Sequence, residues 1–198
     1  MNDLARLGTA TVYEAAGRRG LIDADLVQVV PGSRAAGPAR IARCGQDDNL
    51  AVHAVMERVQ AGDVLVLTMP RPAPVALMGD LLATQAKVRG AAAVLVDAAV
   101  RDVEELAELG LPIWARWVRV RGADKRDHGW LDTEVTVGGA VIRPGDIVVL
   151  DADGGCVVAA ERATDVLAAA HAREEKERVK RERLQAGALS YDIDGLRP

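Results

Sequence analysis

Two dipeptides near the middle of the chain, Gly79-Asp80 and Arg101-Asp102, carry the residue types from which a site for an anion and a metal ion can be built. Each opens a segment of helical periodicity and follows an apolar run. In a parallel α/β sheet, loops and helix N-termini converge beyond the carboxyl ends of the strands, and ligands collect there. Free N–H groups and the helix dipole at residues 80 to 83 favour an anion, and Gly79 lets the backbone approach one closely. Arg101 adds a planar, permanently charged fork suited to a carboxylate or to an oxygen gaining negative charge. Asp80 and Asp102 together could hold a hard divalent cation such as Mg²⁺, with water filling its other positions.

A purely structural reading of the same residues stands beside this one. Asp102 with Glu105 forms a capping box for "VEELAEL", worth about 1 kcal/mol of helix stability and no chemistry. Asp80 can equally be a cap, and Glu14 can be the capping partner of Thr11 in "TATVYEAAGRRG". His53, His128 and His171 lack metal-ligand spacing and read as surface or satisfied core residues, and Lys125 in "RGADKRDHG" reads as a solvated loop lysine. Spacing alone leaves both readings open.

The elements around these residues must deliver them to one place. "DVLVLT" (63 to 68) reads as a strand; a Pro-rich loop follows, then the helix "DLLATQAKVRG", the strand "AAVLVD", the helix "VEELAELG" and the strand "LPIWAR". This β-α-β-α-β order predicts parallel strands with right-handed crossovers, and apolar runs nearly unbroken because both sheet faces are covered. From residue 133 the pattern turns all-β. "TEVTV" and "AVI" flank a Gly138-Gly139 turn, and "IVVLDADGGCVVAA" is two strands around Asp153-Gly154. The last segment, "ERATDVLAAAHAREEKERVKRERLQAG", is a helix whose later half has Val179 and Leu184 as its only large apolar residues. It is either a solvated helix or one that reaches a neighbouring subunit.

Composition removes several classes of function. The 198 residues suit one domain with an appendage: a single α/β catalytic domain over 1–160 and a C-terminal helical extension over 161–198. A net charge of -4 and 3% aromatic residues exclude the basic footprint and stacking platforms of nucleic-acid binders. Apolar runs broken by Gly, Pro or charge exclude a membrane partner. The start "MNDLARLGTA" has no export or transit pattern, so a cytoplasmic location is expected. Cys44 and Cys156, far apart and outside any motif, read as ordinary buried thiols.

The run "GDLLATQAKVRGAAAVLVDAAVRDVEELAELGLPIWAR" resembles the central signature of the 4-hydroxy-4-methyl-2-oxoglutarate / 4-carboxy-4-hydroxy-2-oxoadipate aldolases, which share a fold with the regulator of ribonuclease E activity. The similarity extends through "TATVYEAAGRRG", "GPARIA", "DNLAVH", "AGDVLV" and "VGGAVIRPGDIVVLDADGGCVV" to "LQAGALSYDIDGLR", so it covers nearly the whole chain. It implies a compact α/β sandwich with a β-rich swivelling-type core and a long C-terminal helix, assembled as a homotrimer or homohexamer with sites between subunits. It also implies a class II aldolase that cleaves 4-hydroxy-2-oxo acids to pyruvate and a second oxo acid. The metal would be Mg²⁺, Mn²⁺ or another divalent ion, and oxaloacetate decarboxylation would accompany aldol cleavage.

By position, Asp102 resembles the direct metal ligand and Asp80 the residue holding a metal-bound water. The amides of Gly79, Asp80, Leu81 and Leu82 would receive the pyruvyl carboxylate, and Arg101 would meet its keto oxygen. Lys125 matches a lysine near the distal end of the substrate. Glu14 and Glu177, or Glu174 in place of the latter, match acidic residues contributed by an adjacent subunit. Two departures stand out. Ala98 replaces a Gly usual in the family, which puts the conformation of the following loop in question because Ala tolerates positive φ poorly. "VVAA" replaces an apolar-Pro ending. The rival reading is a non-enzymatic interaction protein resembling the ribonuclease regulators; Glu14, Lys125 and the long charged tail favour the aldolase. A methyltransferase is disfavoured because no G-x-G-x-x-G follows the first strand.

Overall fold

Valine, isoleucine and alanine runs too short for helices and too apolar for the surface make the central strands. In the computed structural model, which describes residues 2–197, the chain begins with α1 (Asn2–Leu7) and α2 (Thr9–Ala15). Strands β1 (Leu21–Ile22), β2 (Val27–Gln28) and β3 (Ala35–Arg43) lead to α3 (Leu50–Val55), β4 (Val64–Thr68), β5 (Ala76–Met78) and α4 (Asp80–Val88). Then come β6 (Ala93–Val100), α5 (Val103–Leu109), β7 (Ile113–Val118), β8 (Trp130–Leu131), β9 (Val135–Val137) and β10 (Ala140–Ile142). The chain closes with β11 (Ile147–Asp151), β12 (Gly154–Val158), α6 (Ala163–Gln185) and α7 (Ser190–Ile193).

One large sheet runs β1-β12-β11-β3-β4-β6-β7-β2, with β5 added to β6 and β8 to β3. β3, β4, β6 and β7 are parallel, as the β-α-β-α-β order requires. The long strand β3 joins two halves: Ala35 to Pro38 pair antiparallel with β11, and Ala39 to Arg43 pair parallel with β4. The expected hairpin is β9–β10, its turn made by Gly138 and Gly139 at φ 52° and 78°, a backbone that only glycine adopts freely at two successive positions.

Three apolar layers hold the fold. Helices α3, α4 and α5 cover one sheet face through Val52, Val55, Leu82, Ala86 and Leu106. The β9–β10 hairpin covers the other through Val135, Val137 and Ile142 against Ile41, Leu95 and Trp114. Leu4, Val12, Val166 and Ala170 pack α1, α2 and the first half of α6 on β11 and β12. The later half of α6 leaves Val179 and Leu184 exposed. Cys44 and Cys156 are buried free thiols, and burial pushes both up to about 12, which keeps them protonated and unreactive. No helix among the described residues is long and apolar enough to cross a membrane.

Three local expectations are corrected. α2 starts at Thr9 behind Gly8, so Thr11 lies inside the helix and does not cap it; Glu14 bonds Arg18 rather than the backbone. Strand β6 runs past Asp97 to Val100 because β5 and β7 pair with its last residues. Ala98 therefore belongs to a strand, is fully buried, and is not among the residues of positive φ, so the backbone makes no demand for glycine there.

Candidate active site

Asp102 occupies the position before α5 with φ 60° and ψ 45°, a left-handed conformation that costs a non-glycine residue about 1 kcal/mol or more. Its side chain does not cap α5, so the capping-box expectation fails. The carboxylate turns away instead, to the N-terminus of α4, where its Oδ2 accepts the Asp80 N–H at 3.2 Å and lies 3.5 Å from Arg101 Nε. The Arg101 N–H donates to Met78 O at 3.2 Å, which ties this loop to β5. Gly79 is required for space rather than for its φ of -134°: a Cβ there would fall on Asp102 Oδ2 and lie 3.2 Å from Arg101 Cγ. A Cβ on Gly122 would come within 2.9 Å of Arg101 Nη1.

Asp80 does not cap α4 either; Gly79 holds that position, and the side chain that bonds the first turn is Asp102, through the Asp80 N–H. Among the described residues the Asp80 carboxylate has no hydrogen bond or ion pair, and the Leu81 and Leu82 amides have no acceptor. Among the described residues Arg101 has no carboxylate partner other than Asp102, and its side chain is about half exposed. These groups line a cleft of about 160 Å³ whose wall also includes Asn49, His53, Gly122 and Lys125.

Asp48 builds that wall. It is buried, and its carboxylate accepts from the backbone N–H groups of Leu50, Arg126 and Asp127 at 2.8, 2.6 and 3.2 Å. Burial alone would raise its pKa, yet the three donors and the nearby Lys125 charge hold it below the usual carboxylate range. The Asn49 N–H donates to Asp124 O, and Asp124 N–H to Asp47 O, so the loop carrying Lys125 is fastened to the start of α3. His53, one turn along α3, has its pKa lowered by burial and by Lys125.

The structure thus brings Gly79, Asp80, Leu81, Leu82, Arg101 and Lys125 to one cleft, with Asp102 hydrogen-bonded to the Asp80 N–H and ion-paired with Arg101. It does not bring Glu14 or Glu177 there. Those two lie together on the α2–α6 surface, with Arg173 between them: Nε is 2.8 Å from Glu177 and Nη1 is 3.9 Å from Glu14. Glu174 is engaged elsewhere, bonded to both terminal nitrogens of Arg6 at 2.6 and 2.9 Å. Sequence reasoning passes over Asn49, His53 and Gly122 as site residues. Only contacts across the fold show that Asp48 and Asn49 bond other segments.

Asp80 and Asp102 are hard oxygen donors with most of their capacity unused, which fits a divalent cation retaining several waters. No cluster of three or more His, Cys, Asp or Glu side chains occurs among the described residues.

The fold matches an uncharacterized protein from Pseudomonas syringae with TM-score 0.87 over all of this chain and 95% of that one, at 22% identity. It also matches Streptomyces coelicolor RraAS2, described as an unusual member of the RNase ES inhibitor RraA protein family. There the TM-score is 0.80 at 32% identity, covering 91% of this chain and 94% of that one. A relative from Halalkalibacterium halodurans, named "Putative 4-hydroxy-4-methyl-2-oxoglutarate aldolase", is 36% identical over 131 residues, 66% of this chain. The match spans 62% of that relative's own length. The RraA-like family model, "Aldolase/RraA", matches residues 9–158, and the chain belongs to that family.

Proposed function

We propose that this protein is a divalent-metal-dependent aldolase that cleaves 4-hydroxy-2-oxo acids to pyruvate and a second oxo acid, and that it decarboxylates oxaloacetate as a side activity. One observation carries the reading: Asp102 accepts a strained backbone to turn its carboxylate off its own helix and toward the open start of α4, beside Asp80 and Arg101. A cap would need none of this.

Asp102 would hold the cation directly and Asp80 through water; when bound, it supplies Lewis-acid stabilisation of a developing enolate. The unpaired amides of Leu81 and Leu82, at the positive end of α4, receive the substrate carboxylate. Arg101 directs its guanidinium at the C2 keto oxygen, where charge grows as the C3–C4 bond breaks. The hydroxyl on C4 gives up its proton toward the free Asp80 carboxylate by way of water, the bond electrons pass to the C2 carbonyl, and protonation of C3 completes pyruvate. Oxaloacetate losing CO₂ yields the same enolate. In a trimer or hexamer, Glu14 and Glu177, held together by Arg173, would complete the neighbour's site.

Similarity to RraAS2 supports a second reading, a non-enzymatic protein that acts by binding a partner. One assay separates the two: pyruvate release from 4-carboxy-4-hydroxy-2-oxoadipate and from oxaloacetate, with and without added Mg²⁺. Metal-dependent release from both supports the aldolase. Release from neither, with or without the metal, rejects it in favour of the binding protein.

A further inference from the structure

Positive charge collects at a second place, away from the cleft. A cavity of about 350 Å³ opens at the β1–β12 edge of the large sheet, with β11, β3 and β4 between it and β6. Three arginines from separate segments line it: Arg19 in the loop after α2, Arg143 after β10 and Arg162 just before α6. Arg162 Nη1 donates to Ala16 O at 3.3 Å, and Ala16 lies on the same wall. Arg143 pairs with Glu134 at 2.9 Å, but both side chains are more than half exposed, and a pair of that kind is weak and readily exchanged. Among the described residues the Arg19 side chain has no hydrogen bond or ion pair. Asp146 is the one acid on the wall among the described residues. It is 5% exposed and spends one oxygen on the Arg143 N–H at 2.9 Å and the other on the Ala160 N–H at 3.1 Å.

Three arginines around one cavity repel one another, and a single carboxylate already engaged with the backbone offsets only part of that charge. In a chain of net charge -4 such a concentration does not follow from composition. It fits an anion with more than one acidic group, since planar forks on separate segments can each take a carboxylate. Between the arginines the lining includes Leu21, Val141, Val157 and Val158, and Leu21 and Val141 are 46% and 43% exposed. Apolar surface of that kind favours a ligand with a carbon body over a bare hydrated ion, and the volume exceeds the roughly 300 Å³ at which pockets hold small organic molecules. We propose that this cavity is a second binding site, separate from the cleft, for a small organic di- or tricarboxylate. A ligand there bridges Arg19 and Arg162 and so fastens the turn that follows α2 to the start of α6. The site stands on its own residues and does not rest on the aldolase reading.

The probe is propane-1,2,3-tricarboxylate, titrated calorimetrically in metal-free buffer of low ionic strength into the full-length protein. An Arg101→Met chain is titrated beside the wild type, because the cleft has then lost its guanidinium while the cavity is untouched. Both proteins are expected to bind the tricarboxylate at the cavity. In the Arg101→Met background, Arg19→Gln and Arg162→Gln should each weaken that binding by about tenfold or more, and Arg143→Gln by less, because Glu134 already shares its charge. Inorganic phosphate, which has charge but no carbon body, should bind about tenfold more weakly than the tricarboxylate. Arg162 also supports Ala16, so Arg162→Lys, which keeps a donor for that carbonyl but loses the fork, replaces the glutamine variant if that chain does not fold; Arg19 has no such bond to lose. Binding that disappears in Arg101→Met alone assigns the anion to the cleft and overturns the proposal. So does binding that survives both Arg19→Gln and Arg162→Gln unchanged. Phosphate binding as tight as the tricarboxylate overturns the organic ligand and leaves a site for an inorganic anion. Because binding is read without turnover, a protein that releases no pyruvate yet passes these titrations loses the aldolase reading and keeps this one.

Discussion

The chain uses one local device twice, with opposite outcomes. In each case a glycine precedes a helix, and an aspartate distant in sequence reaches across to that helix's first residue. At α2, Asp151 accepts the Thr9 N–H at 2.8 Å and the Thr9 hydroxyl at 2.5 Å, and also takes the Asp153 N–H at 2.9 Å. Gly8 leaves it room, since a Cβ there would lie 3.0 Å from Asp151 Oδ2. At α4, among the described residues, Asp102 accepts only the Asp80 N–H at 3.2 Å, with Gly79 making the room. Asp151 is 7% exposed and spends its lone pairs on the fold, whereas the Asp102 side chain is 33% exposed and keeps most of its own. A saturated carboxylate stabilises; an unsaturated one beside a guanidinium and free amides is available to a ligand.

Breaking the open member should cost function, not stability. Asp102→Gly is expected to take metal-dependent pyruvate release to background. Calorimetric binding of Mg²⁺ should be lost as well, and the melting temperature should hold or rise, because glycine relieves a left-handed residue worth about 1 kcal/mol. A capping role would require the opposite, a less stable chain with normal turnover. Next in size, Arg101→Lys should lower kcat by about a hundredfold or more while the protein stays folded, since lysine keeps the charge but not the planar fork. If Arg101 only pairs with Asp102 at the surface, turnover will be near normal.

Breaking the closed member should do the reverse. Asp151→Ala leaves the buried Thr9 N–H and hydroxyl without acceptors and should destabilise the chain by about 3 kcal/mol in denaturant titration. The specific activity of the folded fraction should be little changed. The smallest effect concerns Asp48, the carboxylate that fastens the Lys125 loop. Its pKa is lower in the folded chain than in the unfolded one, so its contribution is present above the unfolded value of about 3.9 and is lost as pH falls through the folded one. The substitution Asp48→Asn should reduce the melting temperature near neutrality and flatten its acid decline. Parallel acid profiles for the two proteins would remove Asp48 from this role.

Much of the architecture was legible from residue order alone. The β-α-β-α-β run, the Gly138-Gly139 hairpin, the paired strands β11 and β12 and the long final helix all follow from periodicity and turn chemistry, which are properties of neighbouring residues. The dipeptides Gly79-Asp80 and Arg101-Asp102 were also visible, as was their place after strands and before helices. What remained undecided was whether those aspartates cap their own helices or serve a ligand. That choice depends on backbone conformation and on contacts between segments about 20 or more residues apart, which periodicity does not encode. Only the tertiary structure turned Asp102 toward α4, tied Asp48 and Asn49 to the Lys125 loop and to β5, and set Glu14 beside Glu177 away from the cleft. The strand extension through Ala98 belongs to the same class, because β5 and β7 pair with the end of β6 and hold extended a stretch that its own residues would have allowed to turn.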